Sequence, residues 1–448
     1  MRKAACAIGI AVLALIAAAP RLLAADDSTA VDATRQTLLY GIDSQVLDAV
    51  QRLSSNRDGR FTKELVTVLQ EARSIEVRKA ILGLFEDQGL KDGVDAARGI
   101  IGSPDEQGAD ILVASIHYLS TVGATGLAQL LAPLIDSPDA GVASAAIRAA
   151  GKAGDSSTAA LLEKKLSSPD FPDARKADVI LSLGDLKDAN AVEALIAIAK
   201  NTDEDKFQRL YAADALGKIG DKKAVPVLKA MFAEKDALVR AYAASALSRF
   251  SLEEAFPMLM QGLKDDDPRV REQCARAMTG KLSAGQEGAA LPALAYKAQY
   301  DPAPQVRAAA IQALASLGSG GAADTLVKLY QTAGSSLDAR EAALKALASR
   351  SVSRALDASQ QVIMAEWKSV DQRSLEMTAR VLSALRGSEL KEAYVKFLGS
   401  TDAVVRAYAV RGIGTNGFSD LKDRIKDLPK TDPSPLVRAE AERALGKL

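Results

Sequence analysis

Catalysis and metal binding need side chains that ligate, ionise or attack, and this chain of 448 residues has one His and two Cys. His117 would have to serve as the base of any Ser-His-Asp arrangement, and no Gly-x-Ser-x-Gly elbow is present to offer the nucleophile. A zinc site or a zincin helix needs several imidazole or thiolate ligands, so ligand count excludes both. A single imidazole, exposed or packed, is the plain reading of His117. The acidic clusters Asp203-Glu-Asp205 and Asp265-Asp-Asp267 lack the Gly and terminal Glu of a calcium loop, so solvated turns between helices are expected there. Gly318-Ser-Gly-Gly321 could hold an anion at a helix N-terminus. It lacks the Lys-Ser/Thr of a nucleotide loop and reads as a joint. Trp367, the one Trp, falls in an irregular stretch where packing is the expected role. No catalytic, cofactor or metal residue is assigned.

Composition narrows the class. Lys and Arg number 57 against 57 Asp and Glu, hydrophobic residues make up 48% and aromatics 4%. That balance describes a folded chain without the basic excess that attracts nucleic acid or an anionic membrane surface. At the N-terminus, Arg2 and Lys3 precede an apolar run from Ala4 to Ala19, then Pro20 and the small residues Ala24 and Ala25. This is the pattern of a secretory signal peptide over residues 1–25, too short in its apolar part for an easy membrane span. Cleavage removes three bases (Arg2, Lys3, Arg21) from the 57 and no acid, leaving a net charge of −3. Cys274 is then the one thiol, compatible with an oxidising compartment. The expectation is an exported protein, periplasmic or secreted, with no membrane span after cleavage.

The elements that carry these residues repeat. Leu238-Val-Arg-Ala-Tyr-Ala-Ala-Ser-Ala-Leu247, Arg269-Val-Arg-Glu-Gln-Cys-Ala-Arg-Ala-Met278, Gln305-Val-Arg-Ala-Ala-Ala-Ile-Gln-Ala-Leu314 and Leu436-Val-Arg-Ala-Glu-Ala-Glu-Arg-Ala-Leu445 align on the Arg. Further units align at Arg78, Arg209, Arg340 and Arg406, and weaker ones at Leu112, Ala143, Lys176 and Thr378. The mean period is about 33 residues, inside the range of solenoid repeats. Val239, Ala243, Ala244, Ala246, Leu247 and Phe250 recur at helical spacing, so a second helix starts at Val-Arg. Asp-Pro upstream, as at Asp267, Asp301 and Asp432, suits a helix cap. Gly-containing joints such as Gly151-Lys-Ala-Gly-Asp155 and Gly217-Lys-Ile-Gly-Asp221 are expected to end second helices.

This pattern resembles the HEAT repeat, specifically the short subclass named after phycobilisome lyases. The resemblance rests on the Asp-Pro, the Val-Arg pair, the Ala-rich second helix and the Ala215-Leu-Gly-Lys-Ile-Gly-Asp221 exit, and covers residues 61–448. It implies an all-α fold, an α-α superhelix or HEAT-like α-solenoid of about twelve two-helix repeats, behind N-terminal capping helices at 26–60. Members include binding scaffolds, bilin lyases and a di-iron hydroxylase. The last needs His-Glu pairs that this chain lacks. A row of Ala at 212, 243, 275 and 310 lets neighbouring helices approach, with Leu216, Leu247, Met278, Leu314, Leu347 and Leu445 filling between layers, and Cys274 is expected buried among them.

In such stacks the second helices line the concave wall. Positions two and five after the aligned residue share one helical side. Position two holds Tyr211, Tyr242 and Tyr408, with Gln273 and Glu440. Position five holds His117, Arg148, Arg276, Lys345, Arg411 and Arg443, with Ser383 among the others. Both rows are expected to face solvent. Tyr interleaved with Arg makes a ledge for a protein or peptide carrying acidic groups, while scattered surface charge accounts for the same pattern. The expected function is a non-catalytic scaffold or adaptor that binds a protein or peptide partner along the concave face, without cofactor. The alternatives are a bilin-lyase-like enzyme or accessory factor, or a structural envelope component anchored by an uncleaved N-terminus.

Overall fold

A computed structural model describes residues 29–72, 74–153, 156–279, 282–364 and 371–448. The expected signal segment, residues 1–25, and Trp367 lie outside these residues. The fold is all-α, with no strand among the described residues. The chain divides into two compact units, one ending at Ile219 and one beginning at Gly220.

Within each unit a first helix packs on a second helix, and each second helix packs on the second helix of the next pair. Among the described residues twelve second helices run from Ile75–Asp87 to Pro435–Leu445, in agreement with the repeat count read from the sequence. Residues 29–40 and Asp43–Asn56 add two helices in front. Asp43–Asn56 packs on Ile75–Asp87 as a second helix would. Arg35, on 29–40, reaches Glu64 of the next first helix at 2.5 Å.

The pair Val225–Phe232 and Ala237–Leu247 shows why the sequence folds this way. Asp236 accepts hydrogen bonds from the backbone N–H of Leu238 and Val239 and starts the second helix. Val239, Ala243, Ala244, Ala246 and Leu247 then turn inward against Leu228, Met231 and Phe232 of the first helix. Each large side chain so buried contributes roughly 1.5–3 kcal/mol, which a lone helix cannot obtain. The Ala row is fully buried, and Leu216, Leu247, Met278, Leu314 and Leu347 are at most 2% exposed. Leu445, near the end of the chain, is only partly buried.

Two expectations about the joints need correction. Gly151 lies inside its helix, Ala140–Ala153, and Gly217 inside Lys206–Ile219, although the second joint does end its helix, at Gly220 with a φ of +78°. Gly151 serves packing: a Cβ there would stand 2.7 Å from the Cβ of Ser182 on the neighbouring second helix. Gly184 against Ala215 and Gly414 against Ala444 repeat this approach at the same register, with Cα atoms 2.7 and 2.9 Å from the added carbon. Of the Asp-Pro residues, only Asp267 is a helix cap, accepting from the Arg269 N–H. Asp301 and Asp432 accept from the Ala303 and Ser434 N–H groups and hold the turn ahead of the helix.

Those two carboxylates have a second duty. The aligned Arg turns back to the carbonyls five and six residues before it, as Arg271 does to Asp265 and Asp266 at 2.9 Å each. Arg240, Arg307, Arg406 and Arg438 repeat this contact. Where the next joint carries Asp six residues before its own Arg, the guanidinium also grips that Asp two-handed. Arg240 holds Asp265, Arg271 holds Asp301 and Arg406 holds Asp432, all at 2.8–2.9 Å. Burial works to raise Asp265 and Asp301, but the hydrogen bonds from Arg240 and Arg271 prevail and both carboxyls lie below the usual range. For Asp432 the bond from Arg406 is itself the largest influence, with the same outcome.

Candidate functional site

The aligned second helices fix where each candidate residue sits. At position five, His117, Arg148, Arg276, Lys345, Arg411 and Arg443 are exposed. At position two, Tyr211, Tyr242 and Tyr408 are half-buried. Two members of the rows depart from the expectation. Glu440 is 4% and Ser383 3% exposed. Ser383 turns its hydroxyl back to the Arg380 carbonyl at 2.8 Å, and Glu440 is drawn under two arginines.

The cations of the second unit come with partners. Arg411 reaches Glu440 at 2.6 Å and lies with its guanidinium carbon 5.3 Å from the Tyr408 ring centre, while Arg443 reaches the same carboxylate at 3.0 Å. The hydrogen bond from Arg411 is the main reason Glu440 stays below the usual carboxylate range. Glu341 likewise serves Lys345 at 2.7 Å and Arg380 at 2.5 Å. Arg276 pairs with Glu272 at 2.9 Å and touches Gln312 of the next second helix at 3.3 Å. Glu341 and Glu440 thus each sit beneath two cations, so each group keeps one positive charge at the surface. In the first unit, Arg148 makes no ion pair among the described residues, and Tyr211 stacks near the exposed Phe207 with ring centres 6.5 Å apart.

Residues first considered for chemistry take structural places. His117 Nδ1 lies 3.0 Å from Glu86 of the preceding second helix. Cys274 is fully buried, and burial pushes its thiol up to about 12, so it is inert as a nucleophile in the folded chain. Asp205 caps its helix through the Phe207 and Gln208 N–H groups. Ser319 caps Gly320–Gln331 and donates its hydroxyl to Glu287, so the Gly-rich stretch is a joint. Among the described residues no group of three or more His, Cys, Asp or Glu is placed to hold a metal ion, and no helix is long and apolar enough to cross a membrane.

Two features escaped the sequence reading. The aligned Arg is a tie between joints, and the recurrence of Asp six residues before Arg271, Arg307 and Arg438 was the available signal. The other is a groove of about 480 Å³ across Ile75–Asp87, Ala109–Thr121 and Ala140–Ala153, floored by Leu82, Gly83, Val113 and Ala114, which carry no motif.

Comparison with known proteins agrees with this architecture. The structure is similar to yeast importin-β at 13% identity and a TM-score of 0.52, covering 92% of this chain and 65% of that one. It is also similar to Kap95p solved with RanGDP, at 14% identity and a TM-score of 0.51, covering 92% and 60%. The chain therefore spans less than two thirds of these karyopherins, and the likeness concerns the fold alone. No curated protein matches the sequence. Residues 38–446 match the family described as spirochaete HEAT repeat protein. With the repeat, the helix pairs and this match over nearly the whole length in agreement, the chain belongs to the spirochaete HEAT repeat protein family.

Proposed function

We propose that this protein is an exported, non-catalytic scaffold that holds a protein or peptide partner along the exposed edges of its second helices. The observation that carries this reading is the row at position five, where exposed polar side chains stand in register on neighbouring second helices: His117 and Arg148 in the first unit, and Arg276, Gln312 and Lys345, then Arg411 and Arg443, in the second. Such a row offers one contact per repeat to an extended partner, the way solenoids use their surfaces. In the second unit, Tyr242, Arg276, Lys345, Tyr408, Arg411 and Arg443 form the ledge. Its cations are pre-positioned by Glu272, Glu341 and Glu440 and retain net positive charge, which favours acidic segments. Export follows from the N-terminal pattern of residues 1–25.

Cross-linking with mass spectrometry in intact cells of the source, using the native chain, tests the reading. The expected result is a recurrent protein partner linked to peptides containing position-five residues, lost on combining Arg276→Glu with Lys345→Glu. Both are exposed substitutions that leave the buried ties intact. Links confined to the first helices, or unchanged by the double substitution, would overturn the ledge. The N-terminal mass of the same material decides export: a chain that retains Met1 contradicts cleavage.

A further inference from the structure

We infer that the groove in the first unit is a second anchoring point, taking an apolar side chain of a polypeptide flanked by Lys or Arg. This rests on the partner-holding function but concerns a different place and a different chemistry from the ledge. The groove exists because side-chain bulk is missing. Position five holds Gly83 where later second helices carry Arg148, Arg276 or Lys345, and position two holds Ala114 where they carry Tyr211 or Tyr242. With Leu82 and Val113 these make an apolar floor.

Gly83 is the informative residue. It lies in the middle of Ile75–Asp87, where glycine weakens a helix relative to alanine. Packing does not require it: a Cβ added there meets no atom within 4 Å. This contrasts with Gly151, Gly184 and Gly414, whose missing carbons are needed for contact between helices. Gly83 therefore costs stability and gives open space over an apolar floor.

The rim chooses the partner. Glu86, Asp110 and Asp139 face the groove with a single ammonium, Lys79, and the imidazole of His117. Lys79 is divided between Glu76 at 3.6 Å and Asp110 at 3.7 Å, so neither carboxylate is closely neutralised. Asp110 is 74% exposed. An apolar residue with a neighbouring Lys or Arg satisfies floor and rim together, whereas an acidic segment would meet like charge. The groove crosses three second helices and is open along its length, which suits a chain segment better than a small molecule that must be enclosed.

A phage-displayed random 12-residue peptide library is the probe, panned on the full processed chain and on two variants. Gly83→Leu fills the groove at a site where the new side chain is accommodated, and its melting temperature should rise. Asp110→Lys reverses one exposed rim charge beside Lys79 in the first turn of its helix, so its melting temperature should fall slightly while the fold is kept. The expected result is an enriched class of peptides with an aliphatic or aromatic residue beside Lys or Arg. Its recovery should fall at least ten-fold on both variants and stay unchanged on Arg276→Glu/Lys345→Glu. If every enriched class is retained by Gly83→Leu, or if only acidic peptides dependent on Arg276 and Lys345 are enriched, the groove is not an anchoring point while the ledge stands. If the library gives no enrichment over empty beads, the groove and the wider peptide-holding function both fail.

Discussion

Two stretches of the second unit tie one helix pair to the next by different means. Through Ala237–Leu317 the tie is ionic: Arg240 grips Asp265 and Arg271 grips Asp301. Through Gly320–Ser383 no Asp stands six residues before the next aligned position, and hydroxyls take over, with Asp371 accepting from Ser374 behind them at 2.7 Å. Arg340 caps its own first helix at the Tyr330 carbonyl, 2.7 Å, and donates to Ser374 Oγ at 2.5 Å. Tyr330 and Thr378 share a buried hydrogen bond of 2.8 Å, and Thr378 donates on to the Ser374 carbonyl. The lesson is that the repeat demands a satisfied polar tie at each joint, and the residue types that supply it are free to vary. A buried donor left without a partner is what the fold avoids.

The comparison can be broken most forcefully at Arg271, whose side chain is 9% exposed over a fully buried Asp301. Arg271→Ala leaves that carboxylate with Lys297 at 3.2 Å as its remaining cation. A loss of about 3 kcal/mol is expected, the low end for a broken buried pair, and urea unfolding measures it. Arg406→Ala, at a tie whose side chains are 14% and 5% exposed, should cost about 2 kcal/mol by the same measurement. Tyr330→Phe in the hydroxyl-tied stretch should cost about 1 kcal/mol, because Thr378 keeps its bond to Ser374. Equal losses at Arg271 and Tyr330 would remove the distinction between the two kinds of tie.

Acidity sharpens the same contrast. Asp265, Asp301 and Asp432 have folded values below their ordinary 3.8, so the stability they contribute is present above that value and disappears as pH falls through the folded one. Hydrogen exchange read by mass spectrometry, corrected for intrinsic rates, should therefore show 237–317 losing protection on acidification before 320–364. The opposite sign is expected in the first unit. There a hydrogen bond with Asp188 is the chief cause raising Glu163 to about 7 from 4.5, with burial second. The folded chain binds this proton more tightly than the unfolded one, so stability declines as pH rises from 4.5 through about 7. Glu163→Gln should flatten that slope in melts collected between pH 4.5 and 8.

The helix pairs were legible because apolar residues at a spacing of three and four recur with each Val-Arg, and tertiary packing merely completes what that stripe demands. The rows at positions two and five were legible for the same reason, being the stripe's complement. What could not be read was how deep each row member lies. Glu440 occupies the position of Tyr242 but is pulled beneath Arg411 and Arg443, and those arginines are 29 and three residues away in the chain. Gly151 looked like part of a helix end because glycine favours that place, yet the close approach of neighbouring helices asks for the same residue. The groove was hidden most completely, since it consists of what Gly83 and Ala114 lack, summed over three helices.

Cys274 gives the second unit a native clock. Its sulfur lies where a carbon on Gly262 would come within 2.2 Å, sealed between Leu252–Gly262 and Pro268–Ala277. In a chain beginning at Asp26 it is the sole thiol. A maleimide added to untreated protein will modify it only during moments when those two helices part, so the rate of labelling counts such partings directly, and a bound partner that slows the count has clamped that layer.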